Sequence, residues 1–348
     1  YTRQLLERIL NMIIPKFIQE GDIIAVTAPS DGNKNEIDYT RLTLAKSNLK
    51  KRGIEVIETL DVRRSVKGRS ESAIERAKEI GYVFAGNDVK AVISAKGGDF
   101  LMEILPYVDF DLIRKNPKWF QGFSDNTGLG FLITTLCDTA SIYSSNFNDF
   151  AMDVWNDSLE ANWNVLTGKS FKQHSFDRYQ DGFIDYETGS EGYSQDKDVK
   201  WINARDEEHI ELNGRFLGGC LDVLLNLVGT RFDQVSEFIE KYRDDGIIWF
   251  LESFSLSSEA IERGLWQLSM AGWFDTARGF VFGRPAFFSS DTDTSYKEAV
   301  LNALGKFSVP IILEADIGHK PPQLTMINGM CGKLVSENGK GFVEFFNE

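Results

Sequence analysis

The sequence predicts an α/β protein with a parallel sheet in its first half and a second domain of different texture behind it. Three observations carry this reading. The first ~150 residues alternate short apolar runs with segments of helical spacing, the pattern of a parallel sheet with helices on both faces. Residues Trp119 to Thr135, WFQGFSDNTGLGFLITT, pass from a short apolar strand through a tight corner into an apolar helix face. From about Ala151 the periodicity weakens, and Asp, Asn, Ser, Gln and aromatic residues dominate. The chain has 348 residues, and single cores stop growing at roughly 250–300. The expected division is an N-terminal α/β domain over 1–165, a linker with overhanging loops over 166–212 and a C-terminal domain over 213–348.

Gly21 to Pro29 (GDIIAVTAP) reads as the first strand, ending in the turn signal Pro29-Ser30-Asp31-Gly32. Strand ends of this kind are where α/β sheets hold ligands. Ile37 to Arg52 has helical spacing and Ile54 to Leu60 is the next strand. Ser70 to Ile80 opens on a serine with Glu75 soon after, which marks a capped helix. Val89 to Ala95 is a third strand running into Lys96-Gly97-Gly98-Asp99. Gly97-Gly98 is either an ordinary turn or a place where bare backbone N–H groups reach a reacting oxygen. Phe100 to Leu105 continues as helix, while Asp109 and Asp111 read as solvated turn residues.

Beyond Ala151, the run GSEGYSQDKD is loop-like, and His174 and His209 sit among polar or acidic neighbours as solvated side chains. Asn213 to Cys220 leads into an apolar helix over Leu221 to Val228. Gly218-Gly219 fits close packing at a helix start, because neither phosphate-loop pattern is present. Gly246 to Leu251 (GIIWFL) is a buried strand ending in Glu252, and a carboxylate there needs a partner. A helix over Ala260 to Ala271 and strands over Gly279 to Phe282 and Pro310 to Leu313 follow. The last of these leads into Asp316-Ile317-Gly318-His319-Lys320-Pro321-Pro322, and short strands broken by glycines close the chain.

Composition bounds the function. A net charge of −14 disfavours nucleic acid or an anionic membrane surface as partner. The three cysteines, Cys137, Cys220 and Cys331, occur singly in apolar or glycine-rich surroundings, against a disulfide framework or a zinc site. No apolar run approaches the ~18 residues of a membrane span. The first residues lack the features of a signal peptide, and Met12 offers a natural start with the residues before it as an extension. A cytoplasmic protein is expected.

Metal hydrolysis has little support, with no H-E-x-x-H and three scattered histidines. Cysteine nucleophiles lack a neighbourhood that would stabilise a thiolate. A serine–histidine system is left. Strand, sharp turn and helix around Ser124 are the context of a nucleophile elbow, although Asn126 stands where G-x-S-x-G has glycine. Ser124 or Asp125 capping the following helix is the alternative. Of the three histidines, His319 lies in a tight Gly-Pro loop after an apolar strand, and Glu252 is placed to hold an imidazole; a lone histidine also serves structure alone.

The motifs GDIIAVTAPS, KGGDFLMEILPYVDF, KWFQGFSDNT, NGRFLGGCLDVL followed by VGTRF, FLESF and GHKPPQ occur in order from Gly21 to Gly332. Together they resemble the S66 serine peptidases, which include LD-carboxypeptidases and microcin C self-immunity peptidases. The resemblance implies a flavodoxin-like N-terminal domain and a β-rich, swivelling-barrel-like C-terminal domain. It implies a triad of Ser124 as nucleophile, His319 as base and then acid, and Glu252 orienting the imidazole, with an oxyanion hole near Gly98 and Asp125. No metal or organic cofactor is implied, and a homodimer is.

The expected substrate is a small peptide, with an amide next to a D-amino acid in a muropeptide as first reading. The second is a peptidyl or aminoacyl nucleotide amide. The stretch after Ala151 is then the segment over the site, where Trp155, Trp163 or Trp201 stacks on a base or else belongs to the core. Gly97 and Trp201 are the candidates for substrate contact, and Arg205 and Arg215 for its carboxylate or for surface ion pairs. A third reading, from another class, is a non-catalytic binding protein on the same scaffold.

Overall fold

The computed structural model describes residues 12–347; the reading of residues 1–11 as an extension lies outside them. The N-terminal sheet is built from β1 (Ile23–Thr27), β2 (Glu55–Glu58), β3 (Val89–Ser94), β4 (Trp119–Gln121) and β5 (Ser141–Tyr143). They lie side by side in the order β2-β1-β3-β4-β5, all parallel, which is the flavodoxin-like order. Apolar runs such as IIAVT and VKAVIS, buried almost throughout, are what a parallel sheet covered on both faces demands. Helices α1 (Glu36–Lys51), α2 (Ala73–Ala85), α3 (Phe110–Lys115) and α4 (Thr127–Cys137) make the crossovers. Ser72, two residues later than expected, caps α2 by accepting the Glu75 N–H. Ser70 is buried instead and donates to the Ala28 carbonyl.

The polar stretch after Ala151 holds more order than its composition suggests. Helix α5 (Asp157–Leu166) is capped by Asn156 and buries Leu159, Trp163 and Leu166, a sparse apolar stripe among polar neighbours. Strands β6 (Lys172–His174) and β9 (Ile202–Asn203) are the two edges of the second sheet, and β7 (Arg178–Tyr179) pairs with β8 (Lys197–Asp198) in a small ribbon. Residues 166–212 thus supply both edge strands of the C-terminal sheet and, between them, a separate two-stranded ribbon.

That sheet continues with β10 (His209–Cys220), β11 (Ile247–Glu252), β12 (Ala277–Gly283) and β13 (Ile311–Ala315), four neighbouring parallel strands. A single helical turn α6 (Leu221–Leu224) follows β10, shorter than the expected helix to Val228. Helices α7 (Val235–Lys241), α8 (Ser258–Met270) and α9 (Tyr296–Leu304) connect the parallel strands. The chain then crosses back: β14 (Met326–Asn328) adds antiparallel to β5 in the first sheet, with Met326 opposite Tyr143. Finally β15 (Cys331–Glu337) and β16 (Lys340–Phe345) return to the second sheet. Because β14 comes directly after the His319 loop, that loop is held between the carboxyl ends of both sheets.

Candidate active site

Strand β4 is buried throughout and stops at Gln121. Ser124 then adopts φ +63°, the left-handed region that a residue with a Cβ enters at a cost. A tight turn over Ser124–Asn126 opens into α4. This is the strained strand–turn–helix corner that lifts a hydroxyl clear of the sheet. Asn126, in the place of the motif's glycine, is buried and donates to the carbonyls of Lys96 and Phe123 and to Asn146 Oδ1. Its amide laces the corner to the glycine loop after β3. Neither Ser124 nor Asp125 caps the helix by its side chain. Asp125 turns away, accepting from Ser30 Oγ and, at 2.8 Å, from the Leu101 N–H. Burial pushes its carboxyl above the usual range, and those two hydrogen bonds pull the other way.

Three residues far apart in sequence meet here. His319 Nε2 lies 2.9 Å from Ser124 Oγ, and His319 Nδ1 lies 2.9 Å from Glu252 Oε2. Glu252 is the last residue of β11 and only 1% exposed. Gly318 makes this approach possible: its φ is +93°, and a Cβ there would fall 2.6 Å from the Glu252 carboxylate. The other two histidines, His174 and His209, are exposed. Cys220, opposite Glu252 in the β10–β11 register, is buried; burial first, then the Glu252 charge, push its thiol well up, so it offers no thiolate.

The loop carrying His319 is anchored at Asp316, whose carboxylate accepts from Arg284, the Phe176 N–H at 3.2 Å and Trp201 Nε1 at 3.0 Å. Trp201 therefore has a role other than the expected substrate contact. It is 2% exposed, with its ring against Gly341 and its indole N–H used by a buried carboxylate. It supports the histidine loop from below. Trp163 is likewise core and Trp155 is half-buried against Phe150 and Arg52, so none of the three tryptophans faces the site as a stacking surface. Arg215 pairs with Asp245 at 2.6 Å and Arg205 donates to the Gly305 and Phe307 carbonyls, which commits both to structure.

Gly97 lies against the serine and Gly98 against Ser30. A Cβ on Gly97 would lie 3.0 Å from Ser124 Cβ and 3.1 Å from its Oγ, whereas one on Gly98 would strike Ser30 Oγ at 2.3 Å. The backbone N–H of Asp125 borders the same space and meets no acceptor among the described residues. An aromatic cluster closes the other side. Phe123 and Phe254 flank the His319 ring at 5.1 and 4.6 Å between centroids. Phe183, from the segment after α5, stacks on Phe287 at 5.6 Å and 21°, and both are exposed, at 63% and 54%. These phenylalanines escaped sequence reasoning because nothing local sets Phe183 apart; only the fold brings it to Phe254 and Phe287.

The family models Peptidase_S66, the LD-carboxypeptidase N-terminal domain, and Peptidase_S66C, the LD-carboxypeptidase C-terminal domain, match residues 24–144 and 213–334. A Vibrio cholerae protein named as a carboxypeptidase is 24% identical, with 94% of this chain and 96% of that protein covered. The Escherichia coli microcin C7 self-immunity protein MccF is 25% identical over 75% of this chain and 76% of its own length. The Bacillus subtilis protein named as a murein peptide carboxypeptidase is 25% identical over 90% and 88%. In three dimensions, an MccF-like protein from Bacillus anthracis superposes with TM-score 0.79 at 24% identity, covering 97% of this chain and all (100%) of the other. MccF bound to adenosine monophosphate gives 0.79 at 21%, covering 96% and 99%. With both domain models matched in order and the two-domain fold shared from end to end, the chain belongs to the S66 peptidase family of serine-type carboxypeptidases.

Proposed function

We propose that this protein hydrolyses an amide bond to a D-amino acid in a muropeptide, releasing the terminal residue, through a Ser124–His319–Glu252 triad. The observation that carries the reading is the pair of 2.9 Å contacts that puts one imidazole between a strained serine and a buried carboxylate. In this mechanism His319 Nε2 takes the Ser124 proton as Oγ attacks the scissile carbonyl, and Glu252 holds the Nδ1–H tautomer and balances the imidazolium. The Asp125 N–H and the glycine loop at Gly97-Gly98 face the developing oxyanion; one such donor is typically worth about 10²–10³ in rate. His319 then protonates the leaving amine. A water activated by the same imidazole releases the acyl group and restores Ser124.

A second reading, cleavage of an aminoacyl nucleotide amide, draws on one specific observation. The exposed Phe183–Phe287 stack, which packs on Phe254 and through it on His319, is an apolar surface of the kind a base stacks on, and MccF has been crystallised with aspartyl sulfamoyl adenosine. The two readings separate in one experiment. Wild type, Ser124→Ala and Phe183→Ala are each given a diaminopimelate-D-Ala tetrapeptide and an aminoacyl sulfamoyl adenylate. Release of D-Ala that vanishes in Ser124→Ala and survives in Phe183→Ala supports the muropeptide reading. Turnover of the adenylate alone, with KM raised in Phe183→Ala, replaces it by the second. Activity persisting in Ser124→Ala overturns the triad.

A further inference from the structure

We infer that Tyr143 is a positioning residue of this site, joining the nucleophile and the acid across the two domains. The inference rests on the triad reading above and adds a member to it. Tyr143 ends β5 in the first sheet, while Glu252 ends β11 in the second. The phenol is 2% exposed, and its Oη donates to Glu252 Oε1 at 2.5 Å. The same oxygen accepts the Ser124 backbone N–H at 3.4 Å. Each Glu252 oxygen thereby has one strong donor, Oε1 from Tyr143 and Oε2 from His319 Nδ1. A carboxylate held at both oxygens cannot rotate about its terminal bond, so the acceptor facing the imidazole stays in one plane.

A second consequence concerns the oxyanion. Since the Ser124 N–H is directed to Tyr143, the donors for a tetrapeptide's carbonyl oxygen must come from Asp125 and the glycine loop rather than from the serine's own amide. The titratable groups that face Glu252 are Tyr143, Cys220 and His319, with Tyr296 further off. Of these, His319 and Tyr143 also touch Ser124, His319 at the side-chain hydroxyl and Tyr143 at the backbone N–H.

The test is Tyr143→Phe, which keeps the ring packed against Phe123 and Phe250. The rate at which a fluorophosphonate probe labels Ser124 is followed from pH 5 to 9, with Ser124→Ala and Glu252→Gln alongside and thermal melting of each. The probe reports serine activation whatever the natural substrate is. The expected result is a melting point near wild type, a labelling rate about ten- to a hundredfold lower, the range of one hydrogen bond to a charged group, and a midpoint moved to higher pH. That shift follows because a Glu252 relieved of the phenol donor pulls harder on the imidazolium. A wild-type rate and pH midpoint in Tyr143→Phe would overturn the inference while leaving the triad standing. A slower rate with unchanged midpoint and a lowered melting point would reduce Tyr143 to packing. Labelling of Ser124→Ala would instead overturn the triad itself.

Discussion

Glu252 is where a one-atom change separates charge from shape. Replacing Glu252 by Gln preserves volume but exchanges one of two acceptors for a donor, and Tyr143 decides how the amide sits. The phenol donates its only proton to Oε1, so the Gln carbonyl takes that place and its NH₂ turns to His319 Nδ1. An NH₂ donor there requires the imidazole to carry its proton on Nε2, the nitrogen facing Ser124. That tautomer cannot accept the serine proton. The expected outcome for Glu252→Gln is a kcat lowered by about 10³–10⁴, as for a triad held in the wrong tautomer, with KM and melting temperature close to wild type. Steady-state kinetics and calorimetry on the same preparation check this. A loss below tenfold would mean that Glu252 is not the imidazole's orienting partner.

At the scale of elements, the serine corner and the glycine loop work as one unit. Asn126 holds the Lys96 carbonyl, so the loop after β3 cannot retreat when something is added at Gly97. A methyl there meets Ser124 Cβ and Oγ at 3.0 and 3.1 Å, tighter than ordinary contact, and enters the space an oxyanion would occupy. Gly97→Ala is therefore expected to fold normally and to lose at least about tenfold in kcat/KM. In Gly97→Ala/Asn126→Ala, freed from the amide tether, part of that loss should return; no recovery would mean that the loop is fixed by something else. These elements also measure what the sequence discloses. Strands β1 and β3, the serine corner and Glu252 at its strand end were legible because buried parallel strands are continuous apolar runs and a carboxylate at the end of one stands out. Helix α5 was hidden by its polar faces; short strands at the end of the chain were expected, but not that β14 among them crosses back to the first sheet. Tyr143, last in a three-residue strand, carried no local mark. It stands out only once the structure shows β5 ending beside β4, at the strand ends where an α/β sheet holds its ligands.

For the molecule as a whole, the net charge of −14 is accompanied by carboxyl groups buried where ionisation is costly. Asp125, Asp149 and Asp316 are all pushed above the usual range, with burial as the main cause. Asp61 gives the clearest case: buried under the β1 carboxyl end, it is pushed up to about 6 from an ordinary 3.8, by burial first and by the neighbouring Glu79 charge, while hydrogen bonds from Thr59 and Ser70 oppose the shift. Between those two values the folded protein keeps a proton that the unfolded chain has already released. Stability contributed by Asp61 is thus full below about pH 4 and is lost as pH rises toward 6, the reverse of a salt-bridged carboxylate. Two pH units correspond to about 3 kcal/mol at most. Asp61→Asn retains an acceptor for Thr59 Oγ1 and cannot ionise. Its unfolding free energy relative to wild type should therefore climb between pH 4 and 6.5 and level off above, leaving the variant about 1–2 kcal/mol the more stable at pH 7.5 once the altered hydrogen bonds are allowed for. Urea denaturation of both proteins across that range reads the difference directly. A difference that stays flat with pH would place the Asp61 titration outside this window, and with it the assignment of a buried, protonatable carboxyl to the strand-end loops that frame the site.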